Sequence, residues 1–181
     1  LALEMKKQGI NFIFQENISK ITKNSNKNTV FTDKNQKIEC DLVLSAIGRI
    51  PNTQSLGLEN TDIEHKDNGQ IIVNDHYQTN APHIYAVGDV TDHINLTPVA
   101  LAEGHWLPDM LFGKNKRSSP SYDNIPTAIF SNPPIGTVGL SEEQARAKGY
   151  DVEIYKSDFK PMRHTLSGRD ERALMKLIVD K

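Results

Sequence analysis

Thr79-Asn80-Ala81-Pro82-His83-Ile84-Tyr85-Ala86-Val87-Gly88-Asp89 is the stretch on which the fold turns. Ile84 to Val87 is a short apolar run, the pattern of a buried strand, and it ends in Gly-Asp. A carboxylate therefore stands at the carboxyl end of a strand, where α/β folds take their ligands. Gly88 permits close backbone approach, and Asp89 can accept hydrogen bonds from a polyol hydroxyl. Gly-Asp after a strand also serves as an ordinary turn, so the motif alone leaves both readings open.

Leu96-Thr97-Pro98, just downstream, reads as the start of a helix running towards Phe112. Thr97 can cap it and Pro98 suits the first helical position, where no backbone N–H is needed. Pro108 predicts a kink or an early end. The amino end of such a helix favours negative charge. A polyol acceptor and an anion-favouring helix end make a coherent pair; a capped helix that merely packs is the alternative. Upstream, Leu42-Val43-Leu44-Ser45-Ala46-Ile47 is a nearly continuous apolar run that predicts a strand covered on both faces. It exits at Gly48-Arg49-Ile50-Pro51. Gly48 could let a dinucleotide lie against the backbone and Arg49 could pair with phosphate, or the Gly and Pro simply shape a domain crossover.

Further out, the opening residues read as helical turns ending at Gly9, followed by a buried strand over Asn11 to Gln15. Alternation over Ile18 to Lys23, Thr29 to Thr32 and Gln36 to Cys40 predicts an antiparallel meander, with a polar spacer at Asn24 to Asn28 and a turn at Asp33-Lys34-Asn35. Gln70 to Val73 is a further short strand. Polar Lys114 to Asp123, with Ser118-Ser119-Pro120-Ser121, predicts a domain boundary. Beyond it come strand (Thr127 to Phe130), strand (Thr137 to Leu140), helix, strand, strand. Ser141-Glu142-Glu143-Gln144 fits a capping box and Gly149 the helix end.

Lysine plus arginine number 21 against 23 acids, so no global field marks the chain for nucleic acid. The one basic run, Lys114-Asn115-Lys116-Arg117, reads as solvated surface. No apolar stretch approaches the roughly 20 residues of a membrane helix. Cys40 is the only cysteine, which fits a reducing, cytoplasmic setting and reads as a small strand residue. His65, His76, His83, His93 and His164 show no metal-ligand spacing and read as surface or turn residues. There is no initiator Met, and both ends read as cut.

Four motifs in register then become specific. Ala46-Ile47-Gly48-Arg49-Ile50-Pro51-Asn52-Thr53, Thr79-x6-Ala86-Val87-Gly88-Asp89, Leu96-Thr97-Pro98-Val99-Ala100 and Phe130 to Glu142 match in order and spacing. The chain resembles the pyridine nucleotide–disulfide oxidoreductases along essentially its whole length. Met162 to Arg172, with Met175-Lys176-Leu177, looks most like the branch that reduces glutathione disulfide; dihydrolipoamide dehydrogenase and mercuric reductase share the flavin motifs and are the alternatives.

The resemblance implies an α/β fold: parts of two Rossmann-like nucleotide-binding domains followed by the start of an α+β dimerisation domain. Residues 1–51 would close the NADPH-binding domain, 52–122 would be the second half of the FAD-binding domain, and 123–181 would begin the dimerisation domain. It implies FAD and NADPH as cofactors, glutathione disulfide as substrate, and a homodimer through the C-terminal domain. Asp89, after Gly88, would hold the ribityl chain and Thr97 the flavin ring, with Leu96 between flavin and nicotinamide. A helix start there would stabilise the negative charge a flavin gains on reduction. Gly48 would line NADPH, and Ala128 and Phe130 would face the nicotinamide side. His105 stands where an arginine near the substrate is usual; a histidine on the solvent face of the helix is the competing reading.

The cysteine pair and the acid/base histidine of such a reductase are absent from this sequence, as are both glycine-rich phosphate loops. No catalytic residue is therefore assigned, and the chain is not expected to turn over alone. The reading from a different class is a non-catalytic truncated module.

Overall fold

The computed structural model describes residues 1–181 except Ser25, Asp92, Asn115, Lys116 and Arg117. Three residues of the basic run, and one of the spacer at Asn24 to Asn28, therefore lie outside the described residues. In chain order the elements are α1 (Ala2–Lys7), β1 (Ile18–Asn24), β2 (Lys27–Thr32), β3 (Lys37–Cys40), α2 (Thr97–Phe112), β4 (Thr127–Ile129), β5 (Ile135–Thr137), α3 (Glu142–Ala147), β6 (Val152–Phe159), α4 (His164–Ser167) and β7 (Ala173–Asp180). Short 3₁₀ turns occupy Leu58–Asn60 and Gly88–Val90. The chain divides into two compact units: Leu1–Leu44 with Asp123–Lys181, and Ser45–Tyr122.

In the first unit, Gly9 takes φ +86° just past α1, as a helix-ending glycine should. β1, β2 and β3 form the antiparallel meander in that order, with Val30 opposite both Ile21 and Ile38. Val30, Thr29 and Thr32 supply its buried positions. The turn at Asp33 to Asn35 closes with Asn35 at φ +64°. The first two strands reach Asn24 and Lys27, so pairing consumes most of the polar spacer.

Beyond residue 123, β4 and β5 pair as a hairpin and β6 and β7 pair antiparallel from Val152/Asp180 to Phe159/Ala173. Between them α3 begins with the reciprocal capping box. Ser141 Oγ accepts from the Gln144 N–H at 3.2 Å, and Gln144 Oε1 accepts from the Ser141 N–H at 2.9 Å. β5 spans Ile135–Thr137 rather than Thr137 to Leu140, because Gly139 at φ +76° interrupts extended backbone there.

Two expected strands do not form. Asn11 to Gln15 and Leu42 to Ile47 run as irregular chain, with Leu42, Leu44 and Ile47 81%, 85% and 94% exposed. An apolar run becomes a strand only when neighbours accept its backbone hydrogen bonds and cover its faces. Among the described residues none does so for either segment. Gln70 to Val73 and Ile84 to Val87 likewise reduce to single bridges, Ile71 with His65 and with Thr91, and Tyr85 with Gln78.

In the second unit, Ile63, Ile71 and Ala86 form the core, with Leu58, Val73, Ala81, Ile84 and Val90 packed against it. α2 does not end at Pro108 but continues to Phe112. Proline forfeits one backbone bond, a loss of about 3 kcal/mol in a helix interior, and burial of Val99 and Trp106 along the same helix works against it. Thr97 does not cap: it is the first helical residue, and Leu96 occupies the cap position without a side-chain bond.

Two of the five histidines, His164 and His93, depart from the surface reading, while His65, His76 and His83 are exposed as expected. His164 is buried, its Nε2 3.2 Å from Glu171 Oε1, and Arg163 pairs with the same oxygen at 3.3 Å. His93 is half-buried against Tyr77 and Tyr122. In both places a carboxylate inside the fold supplies the partner that makes a buried imidazole tolerable.

Candidate functional site

Gly88 opens its 3₁₀ turn at φ +75°, a conformation that L side chains rarely adopt. A Cβ built there would sit 3.2 Å from the Ala100 Cβ, so α2 packs directly on the turn. The Gly88 carbonyl accepts from the Thr91 N–H at 3.0 Å and the Thr91 hydroxyl at 2.8 Å. Val90 O in turn accepts from the Ile71 N–H at 2.9 Å. The turn is thus fastened to the core on one side and to α2 on the other. Asp89, held between these anchors, is exposed, and among the described residues no side chain engages its carboxylate.

α2 brings its amino end to the same turn. Leu96 O accepts from the N–H groups of Val99 and Ala100, both at 3.0 Å, which leaves the Thr97 N–H as a donor outside the helix ladder. Thr97 is exposed and Leu96 half-buried. A helix of 16 residues carries a full dipole, with its positive end here. An exposed carboxylate beside a positive helix end can accept from hydroxyls while the helix favours a partner that gains negative charge.

Beneath the turn lies a buried polar network that sequence reading missed. Glu103, 0% exposed, accepts from the Gly88 N–H at 2.6 Å through Oε2 and from the Tyr122 hydroxyl at 2.7 Å through Oε1. His93 Nδ1 stands 3.3 Å from the latter oxygen and 3.1 Å from the Tyr122 oxygen. Tyr77 OH lies 2.9 Å from Tyr122 OH. The Tyr77 ring meets Trp106 and His93 edge-on, each with centroids 5.5 Å apart. Burial, first of all, raises both phenols above the ordinary tyrosine range; for Tyr122 the hydrogen bonds to Tyr77 and Glu103 add to it. One signal was available: Val99, Glu103 and Trp106 fall at i, i+4 and i+7, which sets a carboxylate in an apolar stripe.

Of the residues singled out from sequence, the structure gathers Gly88, Asp89, Leu96 and Thr97 around one turn and one helix end. His105 lies on the exposed side of α2, eight residues on from Thr97, about 12 Å along the axis. Gly48, in the same unit, is exposed at φ +120°. Ala128 on β4 and Phe130 just past it belong to the other unit, and both are exposed. Among the described residues no group of three or more His, Cys, Asp or Glu could hold a metal ion, and no helix is long and apolar enough to cross a membrane.

Comparison with known proteins agrees with this architecture. Residues 1–104 match the family described as pyridine nucleotide-disulphide oxidoreductase, and residues 125–181 match its dimerisation domain. The chain is 46% identical to glutathione reductase of Burkholderia cepacia over 98% of its own length and 39% of that protein. It is 44% identical to the chloroplastic/mitochondrial glutathione reductase of Pisum sativum (94% of this chain, 31% of the relative) and 39% identical to trypanothione reductase of Trypanosoma congolense (99% and 37%). Among solved structures it superposes on the HOCl-induced flavoprotein disulfide reductase RclA of Escherichia coli with a TM-score of 0.86 at 32% identity, covering 99% of this chain and 41% of that one. The chain thus spans well under half the length of these relatives. Proteins of this family, the glutathione reductases included, use FAD and NADPH. On the motifs in register, the turn-and-helix geometry and these matches, the chain belongs to the pyridine nucleotide–disulphide oxidoreductases.

Proposed function

We propose that the full polypeptide bearing this chain is an NADPH-dependent flavoprotein that reduces glutathione disulfide, working as a homodimer in a reducing cytoplasm. The observation that carries the reading is the pairing of an open Asp89 carboxylate with the amino end of α2 on one rigid turn. That donor and acceptor set fits FAD: Asp89 would take the ribityl hydroxyls, and the Thr97 N–H with the helix dipole would face the electron-poor part of the ring. Bound there, FAD would supply two-electron transfer between NADPH and a disulfide.

Leu96, half-buried at the cap of α2, would screen the ring from water and separate it from the nicotinamide. Gly48 would line NADPH in a domain closing near residue 51, and Ala128 and Phe130, in the domain starting at residue 123, would face the nicotinamide side. His105, on the exposed side of α2, would meet the substrate. The identities of 44% and 46% to glutathione reductases favour glutathione disulfide, and the match to the dimerisation domain supports the homodimer.

The test is NADPH oxidation by the full polypeptide with FAD bound, offered glutathione disulfide, lipoamide, mercuric ion and trypanothione disulfide in turn. Preference for glutathione disulfide, two thiols appearing for each NADPH consumed, is expected. Preference for another acceptor would reassign the substrate, and no turnover with any of them would sink the reductase reading.

A further inference from the structure

We propose that Glu103 is a positioning residue that holds the Gly88–Asp89 turn in the geometry that binds flavin, and so sets how tightly the protein keeps its cofactor. The proposal rests on the flavin reading of that turn. Glu103 reaches nothing a ligand could touch: it is 0% exposed, one helical turn and a half inward from the amino end of α2. It nonetheless takes hold of the residue immediately before Asp89. The Gly88 N–H donates to Oε2 at 2.6 Å, and the N–H direction fixes the peptide plane from which the turn departs. Both carboxylate oxygens act as acceptors, one from the Gly88 N–H and one from the Tyr122 hydroxyl.

The carboxylate is itself held from behind. Tyr122, donating at 2.7 Å, is touched by Tyr77 and His93, and the Tyr77 ring is wedged against Trp106. Tyr77 is 1% exposed and has φ +59°, a left-handed backbone unusual for a bulky residue. Such a conformation persists only where surrounding contacts over-determine it, and it collects around sites that need a fixed shape. Its own carbonyl accepts from the Ala86 N–H at 2.9 Å, two residues before Gly88. The network therefore grips the turn at two backbone points, one on each side of Val87. A residue that only filled the core would need neither a charge nor a bond to the turn, and Glu103 has both.

The experiment uses the full polypeptide, stripped of flavin and titrated with FAD, binding being read from quenching of flavin fluorescence. Alongside it, hydrogen exchange at the Gly88 amide reports the bond itself. Glu103→Ala is expected to weaken FAD binding about 10- to 100-fold, as loss of one charge-assisted hydrogen bond implies, and to speed exchange at Gly88. Glu103→Gln, which keeps one acceptor for Gly88, should fall between wild type and Glu103→Ala and guards against a variant that fails to fold. Val30→Ala, in the buried face of the β1–β3 meander in the other unit, lowers stability away from the turn and should leave FAD affinity within about twofold. Glu103 variants that lose stability yet keep FAD affinity within about twofold of wild type, as Val30→Ala is expected to, would overturn the proposal. Asp89→Ala separates the two failures. If it weakens FAD binding while the Glu103 variants do not, only the positioning role is lost; if neither matters, the flavin reading of the turn has failed with it.

Discussion

Tyr122→Phe removes one oxygen and nothing else, and the structure says what that oxygen holds. It donates to Glu103 Oε1 at 2.7 Å and lies 2.9 Å from Tyr77 OH and 3.1 Å from His93 Nδ1. A hydrogen bond to a charged acceptor contributes about 1.5–3 kcal/mol, and a buried hydroxyl deprived of one partner loses about another 1 kcal/mol. The expected destabilisation is therefore about 2–4 kcal/mol. Tyr77→Phe removes the neutral half of the same contact and should cost about 1 kcal/mol. Because the two hydroxyls touch, the double variant should cost less than the sum by about 1 kcal/mol. Urea unfolding checks this, followed by the emission of Trp106, the only tryptophan of this sequence, whose ring packs on Tyr77. Unchanged m-values would place the effect in stability rather than in a change of state. A cost below about 0.5 kcal/mol for Tyr122→Phe, or strict additivity in the double variant, would refute the view that these groups form one network.

Three further outcomes are expected. Gly88→Ala should destabilise by about 1–2 kcal/mol, since the residue takes φ +75° and its new Cβ would press on Ala100, and FAD affinity should fall with it; calorimetry and flavin titration read the two effects. Ser141→Ala, which breaks the capping box of α3, should cost about 1 kcal/mol in chemical unfolding, with the loss confined to the first turn of that helix in hydrogen exchange. Burial raises the Tyr77 and Tyr122 pKa values, so their stabilising effect is fully present below the ordinary tyrosine pKa. It is lost as pH rises above that value, where the unfolded state ionises first; a phenol absorbance titration should show these two resisting ionisation until the protein unfolds.

Glu142 gives the opposite sign on the surface. Lys176, then Arg146, hold its carboxyl below the ordinary glutamate range, so its contribution is present at neutral pH and lost as pH falls through the acid range. Glu142→Gln should flatten the acid limb of the stability profile without moving the alkaline one, and an unchanged acid limb would dismiss the pair as a contributor.

Local patterns settled what local physics can settle. Alternation marked β1, β2 and β3, Ser141 and Gln144 marked the start of α3, and Gly9 marked the end of α1, because each depends on residues within a turn or a hairpin of itself. The Gly88–Asp89 turn and the start of α2 were legible for the same reason, and four motifs in order were enough to recognise the family. What needed the tertiary structure was every feature that depends on a distant partner. Leu42 to Ile47 has the composition of a buried strand, yet it lies exposed because strand identity is conferred by neighbours and none pairs with it among the described residues. Thr97 looked like a cap and is not one, since it is itself the first helical residue and Leu96 takes the cap position. Glu103 could be noticed as a charge in an apolar stripe, but its partners Gly88, Tyr122 and His93 are 15, 19 and 10 residues away, and only packing brings them within hydrogen-bond reach. A buried charge is tolerable only when its partners are already in place, and that condition is written in three dimensions.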